Sequence, residues 1–257
     1  MTMTSNEGKQ PGLPTIDVQE HGGKREGTRQ SMDRRLFMQL LVFDVPPSVS
    51  GSAHDADQVA REAALQLGHA RIPAVLYADT MSPRGLGLLT WSEDPAHFVQ
   101  AVRPLFNRGP LSAVISRDSF GMLGRTYATG HEPDLEHALL HRAVENVRNE
   151  AFPWHVWYPL RRKAEFARLD GHDQGQILRE HATIGMAYGA QELAHDIRLS
   201  SYGLDAADNE FVIGLVGRHL QPLSHLIQTM RKTRQTSEFI EKMGPFFVGY
   251  VLQRIRP

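Results

Sequence analysis

The chain has no cysteine among its 257 residues. That removes thiolate nucleophiles, cysteine-bound zinc and iron–sulfur clusters, and it leaves the redox compartment open because no disulfide can report on it. Long apolar runs are missing too. The opening Met-Thr-Met-Thr-Ser-Asn is polar, and no later stretch approaches the ~20 apolar residues that cross a bilayer. A soluble, cytoplasmic protein with no membrane span is expected. Nor does one sign of charge dominate. The 28 Lys and Arg against 29 Asp and Glu give a net charge of −1, with the cations scattered, so nucleic acid is not an expected partner. A Gly-x-Ser-x-Gly elbow, a dinucleotide fingerprint, a Walker loop and a His-Glu-x-x-His zinc pair are all absent.

What is present is enough apolar material, 41% of residues, to bury one large core or two domains of about 100 residues each. Residues 1–33 are rich in Gly, Glu, Gln, Lys and Ser without an apolar period, and are expected to form a disordered tail. From 34 to 120 the pattern reads β-α-β-β-α-β. Arg35 to Phe43 is a buried strand stopped by Asp44-Val45-Pro46-Pro47, and Asp55 to Leu67 is an amphipathic helix with Val59, Ala63, Leu65 and Leu67 inward. Ala74 to Tyr77 and Leu86 to Trp91 are strands. A helix opened by Asp94-Pro95 turns Phe98, Val99 and Val102 inward, and Leu111 to Ile115 supplies the last strand. Residues 121–150 are expected to be a linker and helix.

Residues 151–257 repeat the order: strand Trp154 to Leu160, helix Gln174 to Tyr188, strands Ile197 to Ser201 and Glu210 to Val216, helix Gln221 to Met230, strand Phe246 to Leu252. Two such units are tandem ferredoxin-like modules, an α+β fold of the dimeric α+β barrel type. Each sheet has helices on one face, so its other face needs a cover, which the sister sheet can provide while leaving a sheet-lined cavity.

Several residues could carry chemistry. In the second module, Ile177, Leu178, His181, Ile184 and Tyr188 recur at helical spacing, which puts one imidazole in an apolar stripe. It is either a core histidine with its hydrogen bonds satisfied or a metal ligand. A lone histidine suffices as an axial ligand to haem iron, because the porphyrin supplies four nitrogens. Zinc needs three or four protein ligands, and no such cluster occurs. Strand alternation places Trp154, Val156 and Tyr158 on one face, with His155 and Trp157 on the other. A phenol facing a cavity could donate a proton or an electron, or simply pack as a core tyrosine. Arg161, Arg162 and Lys163 could attract carboxylates or form a solvated basic turn. Arg198 is buried by alternation if Asp196 and Ser200 face inward; Asp196 is then its ion-pair partner or the residue that enters the cavity.

Taken in order, Tyr158-Pro159-Leu160, Arg179-Glu180-His181-Ala182-Thr183-Ile184-Gly185, Ser201-Tyr202-Gly203-Leu204-Asp205, Leu226-Ile227-Gln228-Thr229-Met230-Arg231 and Phe246-Phe247-Val248-Gly249 resemble the chlorite dismutase superfamily, most closely its coproheme decarboxylase branch. The resemblance implies haem b or coproheme held in the second module, with peroxide or another small molecule as co-substrate. It also implies a homo-oligomer, commonly a ring of five. His181 matches the proximal iron ligand. Tyr158 matches the tyrosine that becomes a radical and takes hydrogen from a propionate, and Arg161 and Arg162 would position propionates. The distal position falls on Asp196, with Arg198 two residues later. The carboxylate that raises the donor strength of the proximal histidine falls at Gln235, a neutral amide, which would disfavour peroxidase-like iron. The expected activity is peroxide-dependent oxidative decarboxylation of coproheme. The alternatives are haem-dependent oxidation of another small substrate, chlorite dismutation included, and a non-catalytic haem-binding or structural role.

Overall fold

The computed structural model describes residues 13–47 and 55–256. Its strands, in chain order, are β1 Glu20–Arg25, β2 Thr28–Met32, β3 Phe37–Asp44, β4 Ala74–Asp79, β5 Gly85–Ser92, β6 Ile115–Ser116, β7 Met122–Thr126, β8 Trp154–Arg162, β9 His195–Ser200, β10 Phe211–Gly217, β11 Ile240–Met243 and β12 Phe247–Ile255. The helices are α1 Ala56–His69, α2 Arg142–Arg148, α3 Ala164–Arg168, α4 Gly171–Ala190, α5 Leu220–Met230 and α6 Arg234–Phe239.

Each module keeps the β-α-β-β-α-β order, although the second helix of the first module is a π turn, Phe98–Val102, running into a 3₁₀ turn, Arg103–Asn107. The first runs β7-β3-β5-β4 across its sheet and the second β9-β10-β8-β12. The half-sheets join at two seams, β7 on β9 through Arg125↔Ser200 and Thr126↔Leu199, and β4 on β12 from Asp79↔Gly249 to Ala74↔Ile255. Eight strands therefore close into an antiparallel barrel, with β6 and β11 added outside the ring.

The two inner faces fill the barrel with Met38, Leu40, Val42, Tyr77, Leu89, Trp157, Ile197, Leu199 and Phe247. The expected cavity between the sheets is thus a packed core. At Gly214 a Cβ would lie 2.6 Å from the Trp157 ring, so only glycine lets that indole lie across β10. One polar pair is sealed inside: the Tyr77 hydroxyl donates to His155 Nδ1 at 2.8 Å, and His155 Nε2 donates to the Phe152 carbonyl at 3.1 Å. Burial pushes His155 down to about 3, so it is a neutral, satisfied core imidazole.

Four expectations need correction. Residues 20–32 form a hairpin rather than part of a disordered tail, tied to the chain by Gln30 Nε2 on the Glu132 carbonyl (3.1 Å) and by the backbone N–H of Gly23 on the same carbonyl (2.9 Å). The tail's residues 1–12 lie outside the described residues. Leu111 to Ile115 is mostly a 3₁₀ turn, Gly109–Ala113, because Gly109 (φ 70°) and Pro110 bend the chain and drop Leu111 into the core. The closing strand is β7, so the first module runs past residue 120 to Thr126. Leu65 and Val99 face solvent, at 65% and 59% exposure. Asp55 does cap α1, accepting from the Asp57 N–H.

Candidate functional site

The outer faces of the two half-sheets differ in how their helices sit on them. On the first module, α1 buries six of its fourteen residues, Ala56, Val59, Ala60, Ala63, Ala64 and Leu67. On the second, α4 buries one of twenty, Ile177. Leu178 and Met186 on α4 are exposed, at 41% and 66%. Helix α4 is thus packed less deeply on its sheet than α1 is, with Ile184 and Tyr188 making its contacts to the Val156–Tyr158–Leu160 cluster.

The sheet face under α4 follows from register. Ile213 pairs with Tyr158 on one side and Arg198 on the other. Residues directly opposite one another share a face, so Tyr158, Ile213 and Arg198 form a row, and the β7–β9 register brings Tyr127 beside Arg198. The adjoining row is Val156, Leu215 and Asp196. The alternation read from the sequence therefore holds: Trp154, Val156 and Tyr158 face α4, while Trp157 and His155 face the barrel interior.

His181 faces this sheet. Burial lowers its basicity and the Arg198 guanidinium lowers it further, with Asp196 and Glu180 pulling the other way. Its Nδ1 is buried without a partner, and the ring makes no hydrogen bond in the described residues. A satisfied core histidine, as His155 is, would have its nitrogens occupied. The donor set suits an axial iron ligand. Gln235 Oε1 is likewise buried and unpartnered. The two elements meet one residue earlier, where the Arg234 N–H donates to the Glu180 carboxylate at 3.0 Å.

Tyr158 is buried and packs against Phe246 with ring centroids 4.7 Å apart and the planes tilted by 31°. Burial raises its pKa and Asp196 raises it further, while Arg231 lowers it, so the phenol stays protonated. Asp196 is clasped from both sides, by Arg142 at 2.6 Å and Arg198 Nε at 2.9 Å. Arg198 is 39% exposed rather than buried, and it lies on the α4 side with Asp196.

The neighbouring arginines divide. Arg162 shares the face of Tyr158, but its Nε donates to Glu210 at 2.8 Å and its Nη2 to the Tyr202 hydroxyl at 3.0 Å. It is sandwiched between Phe166 (4.6 Å) and Phe211 (4.7 Å). Burial opposes its charge, but those hydrogen bonds prevail and its pKa rises. Arg161 is one residue out of phase and points the other way, paired with Glu241 at 3.2 Å and Asp208 at 3.6 Å. The structure therefore brings Tyr158, His181, Asp196, Arg198 and Arg162 to one face and leaves Arg161 off it.

Sequence reasoning passed over Arg142 and Tyr127. Burial pushes the Tyr127 phenol up while Arg198 and Arg162 pull it down. Both residues lie in the stretch read as a linker. Placing the closing strand at 122–126 would have pointed to Tyr127; nothing in the sequence marks Arg142.

The model of the family described as chlorite dismutase matches residues 88–252. The chain belongs to the chlorite dismutase family. A search of curated proteins found no match. Among solved structures, the fold is shared with a haem-binding protein from Thermus thermophilus at 14% identity and TM-score 0.64, over 86% of this chain and 92% of that one. It is shared equally with the chlorite dismutase of Candidatus Nitrospira defluvii in complex with imidazole, at 13% identity and TM-score 0.64, over 86% and 93%. Among the described residues no helix is long and apolar enough to cross a membrane, and no group of three or more His, Cys, Asp or Glu could hold a bare metal ion. Family membership and the free imidazole are thus compatible with a ligand that brings its own metal donors.

Proposed function

We propose that the second module binds an iron porphyrin through His181 and that the protein carries out peroxide-dependent oxidative decarboxylation of coproheme. The observation that carries this reading is the unsealed α4, with an unpartnered imidazole over the Tyr158–Ile213–Arg198 row. Similarity to the haem-binding Thermus protein supports it. Bound there, the group would supply oxidising power on meeting hydrogen peroxide.

The protein's own residues would do the rest. His181 would hold the iron. The tilted contact with Phe246 holds the Tyr158 ring, and burial keeps its Oη protonated, so an oxidised Tyr158 must give up its proton together with its electron. The resulting phenoxyl radical would then take a hydrogen atom from a propionate side chain, which restores the Tyr158 hydroxyl. The conversion balances: one propionic acid group and one hydrogen peroxide give a vinyl group, carbon dioxide and two waters. Arg198 and Asp196 would line the opposite end of the row, where peroxide is received. A haem-dependent oxidation of another small substrate is the second reading, favoured by the Arg142–Asp196–Arg198 clasp, which sets both signs of charge side by side on the α4 face of the sheet. A non-catalytic haem carrier is the third. We also infer a cytoplasmic homo-oligomer, with a pentamer as the form to look for.

The test is to add coproheme and hydrogen peroxide and follow the products by mass. The wild type should lose carbon dioxide and two hydrogens per reacting propionate. Tyr158→Phe, which removes no hydrogen bond among the described residues, should bind the porphyrin normally and react at least about a hundredfold more slowly. Normal turnover by Tyr158→Phe removes the tyrosine from the reaction.

A further inference from the structure

If an iron porphyrin lies under α4, its carboxylates need cationic partners, and the arginines suggested by the sequence are not available for that. Arg162 is spent on Glu210, Tyr202 and two aromatic rings, and Arg161 faces away into its own ion pairs. Arg198 is bound to Asp196.

One guanidinium near Tyr158 remains unclaimed. Arg231 is the C-cap of α5, where its backbone N–H closes the helix on the Ile227 carbonyl. Its side chain is exposed and makes no ion pair or hydrogen bond among the described residues. The preceding residue, Met230, belongs to the cluster that contains Tyr158, Ile184 and Phe246. A Cβ on Gly185, one turn along α4 from His181, would stand 3.7 Å from Met230 Cε. Arg231 is thereby anchored at the junction of α4, α5 and the Tyr158 strand. The electrostatic influence of Arg231 reaches the buried phenol, in agreement with that placement.

We propose that Arg231, rather than Arg161 or Arg162, receives a porphyrin carboxylate and holds it beside the Tyr158 hydroxyl. The assignment rests on the porphyrin reading above and adds the residue that orients the ligand. A guanidinium with no internal counter-ion and a planar fork can take a carboxylate in bidentate geometry without first breaking a protein ion pair.

The experiment compares the Soret-monitored affinity of coproheme, which carries four carboxylates including those that react, with that of its tetramethyl ester, which carries none. It uses wild type, Arg231→Ala, Arg231→Lys and Arg161→Ala. Arg231→Ala should weaken coproheme binding about tenfold or more and leave the ester unchanged, Arg231→Lys should recover part of the loss, and Arg161→Ala should match wild type. The assignment is overturned if Arg231→Ala keeps the wild-type ratio of acid to ester affinities, or lowers both equally. A wild type that binds neither porphyrin overturns the function reading itself, and this assignment with it.

Discussion

Tyr158 and Arg198 flank Ile213, each directly opposite it on a neighbouring strand, so a buried phenol and a half-exposed guanidinium stand at the two ends of one row beneath α4. The row gives the site two unlike ends. One is aromatic and closed by Phe246; the other is charged and governed by the Arg142–Asp196–Arg198 clasp.

The clasp predicts an effect on anions. Its three side chains are 39%, 42% and 39% exposed, so breaking it should change stability by no more than about 1 kcal/mol. Asp196→Asn removes the charge that neutralises both guanidinium groups. Azide binding to the haem-loaded variant, followed spectrally, should tighten severalfold, and an unchanged azide affinity would show that Arg198 does not face the iron side.

Helix α4 should be the least stable part of the ligand-free protein. It buries only Ile177 and carries Gly175, Gly185 and Gly189 within its length, each weakening a helix by roughly 0.5–1 kcal/mol relative to alanine. Adding haem should slow amide exchange across 175–190 by about tenfold or more while α1 stays as it was. Equal protection of α4 with and without haem would mean that the helix is already sealed.

The barrel interior predicts an acid limb in stability. An unfolded histidine titrates near 6.5, whereas His155 in the folded protein is pushed down to about 3. Between these values the unfolded chain binds more protons, so the contribution is complete above about pH 6.5 and is lost as pH falls toward 3, with a slope of up to ~1.4 kcal/mol per pH unit. Urea unfolding of His155→Phe should show a smaller loss between neutral and acid pH than wild type. At neutral pH the variant should be weaker by about 1–3 kcal/mol, because the Tyr77 hydroxyl loses its acceptor.

Much of this architecture was legible because its signals are local. The alternation in Trp154–Leu160 assigned Tyr158 and Trp157 to opposite faces, and the spacing of Ile177, His181, Ile184 and Tyr188 put the imidazole on the inner side of its helix. The same alternation separates Arg161 from Arg162, a consequence that their adjacency in sequence hides. Barrel closure was not legible residue by residue, because Thr126↔Leu199 and Asp79↔Gly249 join segments far apart in the chain. The apolar run at Leu111 read as a strand because burial of one leucine in a 3₁₀ turn leaves the same local pattern. Arg142 reaches Asp196 only through tertiary packing, and no spacing rule foretells it.

The most direct test of the account is a haem titration of wild type and His181→Ala, read in the Soret band and by the spin state of the ferric iron. The account predicts a one-to-one complex with histidine-ligated iron in the wild type, and loss of that ligation signature with at least about a tenfold fall in affinity in His181→Ala. An unaltered spectrum and affinity in His181→Ala would contradict it, since the iron would then be held elsewhere.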